Sequence, residues 1–149
     1  PWFIVASSPK TSNLIQTARE VNDTKPKWVL QKFREYVQLC LQNNRSKDIT
    51  VAIYGLSFKP DIDDLRESPA LAIAKTIHSE HNGPIVIYEP NLSSLPSSLN
   101  NAKLVSTDLK TPASISLMLV DHSIFRNLPK PAGHVIDAKG VWKSDLNTT

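Results

Sequence analysis

An α/β fold, with a parallel sheet preceded by long helices, is predicted by three features of the 149-residue chain. Residues 49–54, 85–88 and 115–120 are short, nearly continuous apolar runs, the pattern of strands buried on both faces. Between the first two, Ala70, Ile73, Ala74 and Ile77 repeat at helical spacing. Ahead of residue 47 the apolar positions follow helical spacing. Strands that alternate with helical segments in this way imply a parallel sheet with both faces covered.

Trp2, Phe3, Ile4 and Val5 form an apolar entry segment, and Thr11 or Ser12 is placed to cap a helix whose apolar positions are Leu14, Ile15, Ala18 and Val21. Residues 22–26 interrupt that pattern. Proline suits a first helical turn and kinks an interior, so Pro26 is expected to open a second helix. Its apolar positions are Trp28, Val29, Phe33, Tyr36, Val37, Cys40 and Leu41. The stripe can serve as domain core. It is wider than one small sheet needs, and aromatic residues are enriched at protein interfaces, so residues 11–42 are expected to form a subunit contact. The polar stretch 43–48 sets a boundary, giving a helical region 1–47 and an α/β unit 48–149.

Within that unit the first strand ends at Gly55. Ser68-Pro69 opens a helix that runs to residue 81, and Asn82-Gly83-Pro84 turns the chain into the second strand, 85–88. Residues 91–101 read as irregular, 103–105 as a strand, and 108–114 as a short helix or turn. The strand 115–120, a helical turn at 123–128 and a last strand at 135–137 complete the unit.

Composition narrows the function. Net charge is +3 and the 17 Lys and Arg are dispersed, without basic runs that interleave aromatics, so a nucleic-acid partner is not expected. No apolar stretch approaches the roughly 20 residues of a membrane span, and the first residues lack the basic-then-apolar order of a signal peptide. Cys40 is the single cysteine, which excludes an intrachain disulfide and a cysteine-based metal site and fits a reducing compartment. His78 and His81 can share a helix face, but no carboxylate pattern accompanies them and they read as solvated. The chain opens on Pro1 and its one methionine is Met118, so a fragment of a longer protein is expected.

The stretch Gly55-Leu56-Ser57-Phe58-Lys59-Pro60-Asp61-Ile62-Asp63-Asp64-Leu65-Arg66-Glu67-Ser68-Pro69 leaves the carboxyl end of a strand, where α/β sheets bind ligands. A dinucleotide turn needs several glycines for close backbone approach, and here Gly55 stands alone before bulky Leu56 and Phe58. An anion would be met by side chains: Lys59 as a mobile ammonium, Arg66 as a fork for phosphate or carboxylate, with Phe58 offering a face for a base. On the residues alone a second reading is equally open, a solvated loop in which Asp61, Asp63, Asp64 and Glu67 pair with the two cations. Glu89 ends the second strand, where nucleotide-binding units place a ribose acceptor. Lys139-Gly140 brings another cation to a strand end. Asp121-His122 resembles half of an acid–base pair, but no partner nucleophile is identifiable and the structural reading is favoured. Cys40 reads as a buried apolar residue.

The stretch 55–69 resembles the signature that opens the UDP-binding domain of the UDP-glucose/GDP-mannose dehydrogenase family, and Ala18-Arg19-Glu20-Val21-Asn22-Asp23 resembles that family's central dimerisation helix. Pro1-Trp2-Phe3-Ile4, Val120-Asp121-His122-Ser123 and Asp137-Ala138-Lys139-Gly140-Val141-Trp142 are similar to the branch that oxidises UDP-N-acetylmannosamine for bacterial surface polysaccharide. The resemblance implies a Rossmann-like UDP-binding domain, a cytoplasmic homodimer joined through residues 11–42, and oxidation of a sugar C6 alcohol to a carboxylate with NAD. In the family that oxidation passes through a thiohemiacetal and a thioester on a cysteine. That cysteine lies just ahead of the position of Pro1, so it and the NAD-binding domain are expected outside this chain, which alone should be inactive. Carried over by position, Phe58, Lys59 and Lys139 would bind the UDP-sugar and Arg66 would reach NAD. A basic residue of the family's helix that contacts the neighbouring subunit's substrate corresponds here to Asn13, with Lys10 one turn away. UDP-glucose and UDP-N-acetylglucosamine remain alternative substrates. A non-catalytic nucleotide-binding or dimerisation module is the alternative of another class.

Overall fold

Val51–Tyr54 forms β1, the centre of the sheet, and all four of its residues are buried. The computed structural model describes residues 13–42, 49–106 and 112–142. Around β1 lie α1 (Asn13–Gln42), α2 (Pro69–Glu80), β2 (Ile85–Tyr88), β3 (Lys103–Val105), β4 (Ile115–Met118) and β5 (His134–Asp137), with 3-10 turns at Ser97–Leu99 and Ser123–Phe125. Every strand pairing is parallel and the order is β3-β2-β1-β4-β5. The order reverses between β1 and β4, so the loops leaving those strands diverge and open a crevice at the carboxyl edge.

Alternate strand residues face opposite sides of the sheet. On one side Val51, Ile53, Ile85, Ile87, Ile115, Leu117 and Ile136 pack with Ala70, Ile73, Ala74 and Ile77 of α2. On the other, Tyr54, Tyr88, Met118, Phe125 and Trp142 make an aromatic layer in which Tyr54 stacks on Tyr88 at 4.5 Å. Ser68 caps α2 by accepting the Leu71 N–H at 3.2 Å, and its own hydroxyl donates to the Leu56 carbonyl at 2.6 Å. Pro69 occupies the first helical turn, where a missing N–H costs nothing. Burying Ile73 and Ile77 contributes about 1.5–3 kcal/mol each.

Two helices are expected ahead of the sheet, and among the described residues both fall within one continuous helix. α1 runs unbroken through Pro26. Proline removes a single backbone hydrogen bond, and the turns after it are held by tertiary burial, which stabilises helices more than propensity does. Val29, Phe33 and Cys40 are buried in the same core as the sheet, while Trp28, Leu39 and Leu41 are exposed. The core reading therefore accounts for the buried half of the stripe. Arg34 clasps Glu80 of α2 through two hydrogen bonds of 2.9 and 2.6 Å.

His81 is not a solvated surface residue. It caps α2, is half-buried, and its Nε2 donates to the Ile49 carbonyl at 2.7 Å, tying the helix end to the start of β1. The expected cap at Thr11 or Ser12, the entry segment 2–5, the linker 43–48, Lys10 and most of the turn at 108–114 lie outside the described residues. Among the described residues, no helix is long and apolar enough to cross a membrane.

Candidate functional site

Gly55 leaves β1 with a φ of +86°, so tightly against the loop after β4 that a Cβ there would stand 2.4 Å from Val120 Cβ. The single glycine of the stretch thus serves the contact between two protein loops. Beyond it the backbone is strained twice: Asp61 (φ 61°) and Glu67 (φ 54°) both lie in the left-handed region. Neighbouring groups hold Asp61 there. Its N–H donates to His122 Nδ1 at 2.9 Å, and its carboxylate accepts the Ser123 N–H at 2.8 Å together with the Ser123 hydroxyl. The Ser123 hydrogen bonds keep the Asp61 carboxyl below its ordinary value.

Beneath this loop lies a buried polar cluster. Glu89, His122 and Ser57 are 0, 0 and 1% exposed, and at that depth each polar group must find partners. Glu89 accepts the Leu56 N–H at 2.7 Å, the Ser57 N–H at 3.2 Å and the Asn91 N–H at 3.3 Å, and His122 Nε2 lies 3.1 Å from its carboxylate. Because an amide can only donate, Nδ1 of His122 is the acceptor and Nε2 carries the proton to Glu89. Burial pushes the Glu89 carboxyl up, but the hydrogen bonds from His122 and Leu56 outweigh it and leave the group below its usual value.

Ser57, His122 and Glu89 do not form a nucleophilic triad. The hydroxyl and the carboxylate address the same ring nitrogen, where a triad needs them on opposite ones. The Ser57 proton is given to the Lys59 carbonyl at 2.7 Å. The cluster is structural.

Above it, at the carboxyl edge of the sheet, opens a cleft of about 740 Å³ walled in part by Phe58, Glu67, Val120 and Lys139, with Lys25 and Val29 from α1. That size suits a nucleotide-scale ligand. Phe58 is 49% exposed, so its ring presents an open apolar face at the cleft wall. Lys139 is presented by a turn in which Asp137 accepts the N–H groups of Lys139, Gly140 and Trp142, and its ammonium lies 3.7 Å from Asp121.

The structure thus brings Phe58 and Lys139 to one cleft. Lys59 sits beside it, its ammonium 5.8 Å from the Phe58 ring, and among the described residues it makes no ion pair. Arg66 does not reach the cleft. It is folded back on Asp64 in a bidentate pair of 2.9 and 2.8 Å, which holds the Asp64 carboxyl at about 2, so for this cation the local-pairing reading describes what is seen. Glu89 is turned inward, away from any ribose. Lys25 is a cleft residue that sequence reasoning misses. Its only signal is its place before Pro26, and helix and loop meet only in the fold. The side chain of Asn13 is outside the described set.

The chain belongs to the UDP-glucose/GDP-mannose dehydrogenase family: the model of that family's UDP binding domain matches residues 52–144, most of the α/β unit described above. Among curated relatives it is 45% identical over 150 residues to the UDP-N-acetyl-D-mannosamine dehydrogenase of Salmonella typhi, an alignment covering 96% of this chain and 36% of that protein. It is 40% identical to the NDP-N-acetyl-D-galactosaminuronic acid dehydrogenase of Ralstonia solanacearum, covering 97% and 34%. Among solved structures, the UDP-N-acetyl-mannosamine dehydrogenase of S. aureus superposes with a TM-score of 0.67 at 31% identity, over 97% of this chain and 33% of the other. The chain spans about a third of the relatives it matches.

Proposed function

We propose that this chain is the nucleotide-holding part of an NAD-dependent UDP-N-acetyl-D-mannosamine 6-dehydrogenase, and that the cleft between α1 and the loop 55–69 receives the UDP-sugar. The observation that carries this reading is the cleft itself, where an exposed aromatic face and the cations Lys25 and Lys139 converge at the switch point of a UDP-binding-domain fold. Phe58 offers its ring to the uracil, and Lys25, Lys59 and Lys139 offer ammonium groups to the diphosphate or sugar. The mannosamine assignment rests on identity to relatives of that name.

The turn after β1 does not fit a dinucleotide pyrophosphate: it has one glycine, and its amides are already bonded to Glu89. Arg66, whose side chain is 88% exposed beside Asp64, is the residue proposed to reach toward NAD. NAD is assigned mainly to a part of the whole protein other than these residues, and the chain alone is expected to bind nucleotide without oxidising it. The exposed Trp28, Leu39 and Leu41 of α1 are proposed to meet a second copy, and light scattering at tens of micromolar reads this directly.

Calorimetry with UDP and with UDP-N-acetylmannosamine tests the binding role of the chain. Turnover of the full-length protein on the UDP derivatives of N-acetylmannosamine, glucose and N-acetylglucosamine tests the substrate. Preference for UDP-glucose would refute the sugar, and absence of UDP binding would refute the site.

A further inference from the structure

In a nucleotide-binding α/β unit, the amides that follow the first strand point at the ligand's phosphate, and the acid ending the second strand faces its ribose. Here those two features are joined to each other. The Leu56 and Ser57 N–H groups leave β1 at the switch point and both are taken by one oxygen of Glu89, while His122 from the loop after β4 donates to the same carboxylate. We infer that the Glu89 carboxylate is a built-in anion that fills the amide cradle where a dinucleotide phosphate would sit, and that Glu89 and His122 are positioning residues that set the Phe58–Lys59 hook over the outer cleft.

Three loops depend on this one carboxylate. The loop after β1 is held through the Leu56 and Ser57 amides and the loop after β2 through the Asn91 N–H. The loop after β4 is held through His122, whose other nitrogen accepts from the strained Asp61. Ser57 shares the cluster and steadies the carbonyl of Lys59 itself. Glu89 is wholly buried, so no solvent cation or ribose competes for it. With the carboxylate removed, three backbone donors and an imidazole N–H would face an empty, enclosed space. That arrangement is a receptor for a small carboxylate. It also explains the missing glycines: with the anion supplied internally, no ligand has to approach the backbone, and bulky Leu56 is tolerated.

The anion-cradle part stands independently of the UDP-sugar assignment; the positioning part rests on it. Glu89→Ala in this chain is expected to lower the melting temperature and to weaken UDP binding by about tenfold or more, the scale of losing a charged hydrogen-bond partner. Sodium formate or acetate at tens of millimolar is expected to restore part of both, by mass action on the folded state, where sodium chloride at equal ionic strength does not. His122→Gln keeps a donor toward Glu89 and His122→Asn an acceptor toward Asp61. Each is expected to fold and to bind UDP more weakly than the parent chain. If Glu89→Ala is unfolded, formate-dependent refolding carries the cradle claim. Failure of formate to refold or stabilise it beyond chloride overturns that claim. A folded Glu89→Ala chain, or a His122→Asn chain, with unchanged UDP affinity overturns the positioning role. If the parent chain binds no UDP, the proposed function fails and the positioning role with it, while formate rescue of the melting temperature still decides the cradle.

Discussion

Gly55→Ala separates two physical effects that meet at the end of β1. The first is conformational: a φ of +86° is one that residues with a Cβ adopt at a cost of about 1–2 kcal/mol. The second is spatial. The new methyl would lie 2.4 Å from Val120 Cβ and 2.9 Å from both the nitrogen and the oxygen of Val120, so backbone as well as side chain must move. That movement strains the 3.1 Å bond from the Val120 N–H to the Tyr54 carbonyl, and overpacking of this kind costs about 1–3 kcal/mol more. Gly140 supplies the control. Its φ is +75°, and a methyl added there would meet nothing within 4 Å, so Gly140→Ala carries the conformational cost alone. Urea unfolding of the two variants should therefore give a loss of about 2–5 kcal/mol for Gly55→Ala and about 1–2 kcal/mol for Gly140→Ala, with unchanged m-values. Equal losses in the two would refute the close-approach explanation of Gly55.

Lys59→Ala and Lys25→Ala should each weaken UDP-sugar binding by about 1–3 kcal/mol, measured by calorimetry, and unchanged affinity would remove that residue from the site. Phe33→Ala should destabilise the chain by about 3–5 kcal/mol because the ring is buried between α1 and the sheet core, whereas Arg34→Ala, which loses only an exposed pair, should leave the urea midpoint within error. A mild Phe33→Ala would mean that α1 is not part of the same core. Acid titration should show Glu89 directly. Its carboxyl is held below the ordinary value when folded, so it contributes stability above the unfolded value and loses it as pH falls through the folded one. The stability gap between the parent and Glu89→Gln should be flat from neutral pH to about 5 and close below it, and a gap that widens on acidification would reverse the assigned direction.

Local chemistry was legible in the residues. The strand 85–88 and the strand 103–105 fall where their apolar pattern puts them, and Ser68-Pro69 opens α2 because a hydroxyl cap and a fixed φ act within one turn. The helix break expected at Pro26 does not occur, because its local penalty is outweighed by burial of Val29 and Phe33 three and seven residues on, a contribution made by a distant part of the chain. Phe58 and Lys139 were legible as residues at strand ends, and both line the cleft. Lys25 was not, since nothing near it in sequence shows that α1 lies against the loop 55–69.

Short-range patterns in the residues thus carry the parallel α/β unit, the loop 55–69 at its carboxyl edge, and the family. Which polar residues face the cleft and which face each other is settled by the way the strands assemble. Ser57, Glu89 and His122 are separated by 32 and 33 residues, and the strand order sets the ends of β1, β2 and β4 side by side, so their side chains meet. An acid at a strand end can point to solvent or inward with the same local sequence. Here the unpaired amides of the β1 turn and the imidazole of His122 give the buried carboxylate the partners it needs, and Glu89 turns in.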